Sequence, residues 1–194
     1  LKKADAILSV APYYNRPQQE GIVAHFKAIA NESPLPLLIY NISSRTAVNI
    51  EAQTTLHIAK EIPKVIGIKE ASGNFSQIMA IMQDKPEHFQ VISGDDALTL
   101  PLLACGLDGV ISVVANAFPN KMVKMVQTAQ QGNFDKARQL HYQLLPIMNA
   151  CFKEGSPSGI KTFLKAQGKI ESFVRLPMVD VSPALKKEIE SLII

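Results

Sequence analysis

The stretch VIGIKEASGN, residues 65–74, decides how the chain is read. Val65 to Ile68 would suit a buried strand, yet Lys69 follows at once, then Glu70, small residues and Gly73. Working outward from it, four other short apolar runs stand out: AILSVAP (6–12), LPLLIYN (35–41), FQVIS (89–93) and GVISVVAN (109–116). Segments with helical spacing separate them. In QQEGIVAHFKAIA (18–30), Ile22, Val23, Phe26 and Ile29 fall on one face. EAQTTLHIAKEI (51–62), FSQIMAIMQ (75–83) and DDALTLPLLACG (95–106) behave alike, the last with Pro101 in its early turns and Gly106 as a stop. Strands alternating with helices predict an α/β fold on a parallel sheet. The runs are apolar throughout, as expected of strands buried on both faces. Beyond Asn116 only helical patterns remain: 118–132, 133–155, around Ile160 to Ala166, and Pro183 to Ile194.

The polar chemistry gathers where the strands end. The first run leads into Tyr13, Tyr14, Asn15 and Arg16, and the second into Tyr40 and Asn41, with Arg45 just beyond. The third ends in Lys69 and Glu70, the fourth in Ser93, Gly94, Asp95 and Asp96, the last in Ala115 and Asn116. Parallel α/β folds build their ligand sites at these carboxyl ends.

Each rim residue has two readings. If Lys69 points into a barrel, Val65 and Gly67 point with it, Ile66 and Ile68 face the helices, and Gly67 leaves room for the long side chain. Burial then lowers the amine's pKa and suits it to attack a ketone as a Schiff-base lysine. Otherwise it snorkels out of the strand end and pairs with Glu70. Tyr40 is a proton-relaying phenol or rim packing. Tyr13 and Tyr14 suit an interface. Arg45 is a fork for a carboxylate or a solvated loop arginine. In SGDD (93–96), Asp95 and Asp96 serve as a helix N-terminus, metal-binding spacing being weak. His25, His57, His88 and His141 lie away from the rim and carry no assigned chemistry.

Composition narrows the classes. The chain has 194 residues, 47% hydrophobic and 19% charged, with net charge +3. That is enough for a sizeable core, and the scattered lysines give no nucleic-acid or membrane footprint. No apolar run reaches membrane-spanning length, and LKKADAILSV lacks the cleavage site of a signal peptide. Cys105 and Cys151 read as buried thiols of a cytoplasmic protein, with a bridge left open.

APYYNRP, YNISSRT, GIKEASGN, SGDD and GVISVVAN, in this order, resemble the dihydrodipicolinate synthase family, and the likeness runs through RLPM (175–178) to the last helix. The resemblance implies a (β/α)8 TIM barrel with a C-terminal helical domain, residues 1–131 supplying strands 4–8 and 132–194 the helical domain. It implies condensation of pyruvate with L-aspartate 4-semialdehyde on the way to lysine and diaminopimelate. Lys69 matches the Schiff-base lysine, Tyr40 the proton relay, and Tyr14 the tyrosine that joins the relay of a neighbouring subunit. Arg45 matches the arginine holding the semialdehyde carboxylate. Gly94 and Ile111 match backbone positions lining the pyruvate pocket, and Tyr13 a position near a lysine-inhibitor cleft at a dimer interface. The resemblance further implies a cytoplasmic homotetramer, a dimer of dimers, with lysine as a candidate inhibitor. No metal or organic cofactor is expected, since the lysine itself is the electron sink.

Two departures accompany the likeness. GSPSGIK (155–161) has Ser156 where the family has asparagine, which touches a turn more than the chemistry. The family's first three strands, with a Thr-Thr-Gly-Glu motif and its relay threonine, have no counterpart, and a full barrel needs about 250 residues. The start at Leu1 is therefore expected to miss the true beginning, and the fragment alone to be inactive. The nearest rival is another pyruvate-dependent aldolase such as N-acetylneuraminate lyase, but Arg45 and KEASGN favour the synthase. A non-catalytic barrel module has no need of Lys69.

Overall fold

A computed structural model describes residues 4–193, so the chain start at Leu1 and the end of the expected last helix at Ile194 lie outside the described residues. The chain divides into two compact units, Leu1–Ile111 and Ser112–Ile194.

The first unit alternates strand and helix: β1 (Ile7–Val10), α1 (Gln19–Glu32), β2 (Leu37–Asn41), the single turn α2 (Ser43–Thr46), α3 (Ala52–Glu61), β3 (Val65–Glu70), α4 (Phe75–Asp84), β4 (Gln90–Ser93), α5 (Thr99–Ala104) and β5 (Gly109–Val110). All neighbours are parallel and the strand order is β1-β2-β3-β4-β5. Parallel strands in sequence order, each followed by a helix, are the wall of a (β/α)8 barrel. Helices cover the outer face. Ile22, Phe26 and Ala30 line one side of α1 and belong to the same buried core as Leu37, Ile39, Ile68 and Val91. Each large side chain buried there stabilises the unit by about 1.5–3 kcal/mol. Val23 and Ile29 pack against this core while remaining partly exposed.

The inner face is not buried in the same way. Leu8 is 43% exposed, and Val10, Leu38 and Ile92 are half-buried. The expectation of two buried faces therefore holds only for the helix side. These inward positions are the ones that a closed barrel fills with layers of its own side chains.

Three further expectations are corrected. The register of β2 against β3 shifts between Leu37 and Leu38, whose partners are Val65 and Gly67. Ile66 is thus an extra, bulged residue. The bulge turns Val65 to the helix-side core with Ile68, so Val65 does not share a face with Lys69. The last strand stops at Val110, and Val114–Asn116 is a 3-10 turn, so Ala115 and Asn116 do not end a strand. Cys105 is exposed at the end of α5, not buried; Cys151 is buried, and neither forms a disulfide.

The second unit holds α6 (Pro119–Gln130), α7 (Phe134–Phe152), α8 (Ser158–Ala166) and α9 (Pro183–Ser191). Asn133 and Ser182 cap α7 and α9 by accepting from the N–H groups of Lys136 and Leu185. Met122, Met125, Leu144, Met148 and Ile189 are buried, and Phe118 stacks edge-on against Phe163 at 5.5 Å. Pro146 is tolerated inside α7 on its exposed side, where the carbonyl it leaves free, at Tyr142, belongs to a residue 62% exposed. Among the described residues no helix is long and apolar enough to cross a membrane.

Candidate active site

The pairing register brings the rim together. Val10 lies beside Tyr40, Tyr40 beside Lys69, Lys69 beside Ile92, and Ile92 beside Gly109. Neighbours in one row of a parallel sheet share a face, so Tyr40 and Lys69 both point inward. Backbone bonds carry the ladder past the strand ends. Ala11 donates to Tyr40, Ala71 to Asn41, Gly94 to Glu70 and Ile111 to Ser93, at 2.8–3.0 Å. The loops that bear the functional side chains thus leave the sheet from a braced edge.

Lys69 is 9% exposed, with its Nζ 4.2 Å from the centre of the Tyr40 ring. Burial pushes the amine below the usual lysine range, while the carboxylate of Asp96 acts in the opposite sense. Burial also raises the Tyr40 phenol, and the Arg45 guanidinium partly offsets this. A buried amine of lowered pKa against a phenol can add to a carbonyl and have protons delivered beside it.

The space for Lys69 comes from Gly94, not from Gly67. A Cβ at Gly94 would stand 3.0 Å from Lys69 Cε and 2.7 Å from Ala71 Cβ. A Cβ at Gly67 would instead meet the Gln90 carbonyl at 2.5 Å and Leu38 at 3.0 Å, so Gly67 serves strand packing.

Arg45 lies exposed on α2, just beyond the end of β2, rather than in an irregular loop. The turn is stitched by Thr46, whose single hydroxyl proton lies within reach of the Ile42 and Val48 carbonyls and whose oxygen accepts from Val48 N–H, and it ends in a left-handed residue, Ala47. Tyr13 and Tyr14 follow β1 and stand 67% and 87% exposed. Tyr14 and Arg16 have φ of 71° and 48°, strained for such side chains and of the kind kept where a loop must present a group. Ile111 sits half-buried past β5, its N–H held by Ser93.

Glu70 does not pair with Lys69. Adjacent residues of a strand point to opposite faces, and Glu70 is buried on the helix side. Asp96 is the residue the sequence leaves unrecognised. Asp95 accepts from the N–H groups of Ala97 and Leu98 in the following turn, and Asp96 is buried with its charge reaching Lys69. Among the described residues no group of three or more His, Cys, Asp or Glu side chains is placed to hold a metal.

Residues 2–194 match the dihydrodipicolinate synthetase family. The chain belongs to that family. It is 51% identical over 175 residues to a 4-hydroxy-tetrahydrodipicolinate synthase of Parabacteroides distasonis, covering 90% of this chain and 59% of the relative. It superposes on the dihydrodipicolinate synthase of Aquifex aeolicus with a TM-score of 0.95 at 39% identity, over 98% of this chain and 65% of that one. The enzyme of Cyanidioschyzon merolae, solved with lysine bound, gives 0.94 at 37% identity, over 98% and 64%. The chain thus spans 59–65% of the length of these family members.

Proposed function

We propose that this chain carries the lysine-imine site of a 4-hydroxy-tetrahydrodipicolinate synthase, which joins pyruvate to L-aspartate 4-semialdehyde on the way to lysine and diaminopimelate. The observation that supports it most is the buried, pKa-lowered Lys69 lying against Tyr40 on the inner face. The neutral amine adds to the ketone carbon of pyruvate, and the carbinolamine loses water to give an imine. The imine draws electrons from the neighbouring methyl group, which gives up a proton and becomes the enamine that attacks the aldehyde. Tyr40 passes protons to and from the carbinolamine, joined by Tyr14 of a neighbouring subunit. Arg45 takes the carboxylate of the semialdehyde by two parallel hydrogen bonds. Gly94 and Ile111 line the pyruvate pocket, and Tyr13 lies by the cleft where lysine inhibits.

On this reading the protein works as a cytoplasmic homotetramer, residues 1–131 forming barrel and 132–194 the helical domain, and the imine makes an added cofactor unnecessary. The lysine-bound relative supports the inhibitor, and the exposed Tyr13 and Tyr14 support the interface. The test is to incubate the product of the intact gene with pyruvate and borohydride and to map the reduced adduct by mass.

A further inference from the structure

One residue beyond Tyr40 and Lys69, on the opposite face of the same strands, lies a second polar cluster that the proposed reaction does not use. Glu70 is 1% exposed, and none of the ion pairs among the described residues includes it. Hydrogen bonds hold it instead. Its Oε2 accepts from Asn41 Nδ2 at 3.0 Å and from Gln77 Nε2 at 3.3 Å, and its Oε1 accepts from Ser72 N–H at 2.6 Å. A buried carboxylate is tolerated only when donors converge on it in this way.

Asn41 connects this anchor to the Arg45 loop. Its Oδ1 accepts from Ile50 N–H at 3.0 Å, and the Nδ2 proton not given to Glu70 goes to Asn49 Oδ1 at 3.0 Å. Asn49 in turn donates to Gln77 Oε1 at 2.8 Å. The segment between β2 and α3 is therefore closed at its base, position 41 to position 50, and it carries α2 with Arg45 between those ends.

We infer that Glu70 is the positioning residue for the Arg45 loop, and that through Asn41 and Gln77 it sets the place of the guanidinium that receives the second substrate. The second half of this statement rests on the function proposed above; the first does not. A carboxylate is required because all three partners donate. Glutamine in its place would turn an NH2 group toward either the Ser72 N–H or the two amide donors, leaving buried donors unmatched.

The experiment compares Glu70→Gln with the wild type in the product of the intact gene. Limited trypsin digestion, followed by mass, reads the Arg45–Thr46 bond directly. Cleavage there is expected to rise about tenfold, with cleavage after Lys27 and Lys60 unchanged, since the lost bonds open one loop rather than the fold. In steady state, KM for L-aspartate 4-semialdehyde is expected to rise about tenfold, while borohydride trapping of pyruvate on Lys69 keeps its wild-type rate. Unchanged cleavage at Arg45–Thr46, an equal rise at every site, or a parallel loss of trapping and second-substrate affinity would overturn the inference. A wild type that traps no pyruvate would overturn the proposed reaction instead, and the trypsin comparison would still decide whether Glu70 holds the loop. Should Glu70→Gln fail to fold, Gln77→Ala removes one arm from a half-buried helix position. It is expected to raise cleavage at Arg45–Thr46 alone by about threefold, and no selective rise would overturn the inference.

Discussion

The two faces of the sheet edge use adjacent residues to opposite ends. On the inner face, Tyr40 and Lys69 face each other with both pKa values displaced by burial. On the outer face, Asn41 and Glu70 sit one residue further along, pair in the next row of the same ladder, and are tied into a hydrogen-bonded cluster. The inner pair is desolvated, which lowers the lysine's pKa and suits it to react. The outer pair is fully engaged and hence rigid. A strand's two-residue period lets one dipeptide, Lys69-Glu70, serve both purposes, because its side chains cannot meet.

The largest expected effect comes from the inner row. Lys69→Ala should lower turnover by about 10⁴-fold or more, as loss of a nucleophile does, with melting temperature near that of the wild type. A large fall in stability would mean that Lys69 belongs to the packing rather than to the chemistry. Arg45→Ala should act next, raising KM for the semialdehyde by about 10- to 100-fold through loss of a charge-assisted pair, with little change for pyruvate. Equal effects on both substrates would make Arg45 a structural residue.

The smallest effect is a displaced pH profile. Asp96 raises the Lys69 pKa, so Asp96→Asn should lower it further. The free amine then persists to more acidic pH, and the acid limb of pyruvate trapping should move to lower pH. An unmoved limb would show that the Asp96 charge does not act on Lys69, and a move to higher pH would contradict the sign of its action.

Much of this arrangement is legible in the sequence. Apolar runs ending in Tyr40, Lys69 and Gly94 mark strand ends, and the helical spacing of Ile22 and Phe26 marks the covering layer. The remainder depends on register. The Ile66 bulge reverses the face of Val65, and nothing in a run of valine and isoleucine announces it. Gly94 approaches Lys69 from the neighbouring strand, a contact that spacing along one strand cannot reveal. The partners of Glu70 lie 29 and 7 residues away, at Asn41 and Gln77, and converge only once three elements have packed. Cys105 looks buried by its apolar neighbours, but it falls where α5 ends and the chain turns outward.

The central claim is that the inner row presents an amine able to capture a ketone. Borohydride reduction of the intact-gene product with pyruvate, followed by peptide mapping, measures that capture directly. The account expects a single pyruvate-derived adduct on Lys69, formed at a pH where surface lysines remain protonated. No adduct, or an adduct on any other lysine, would contradict it.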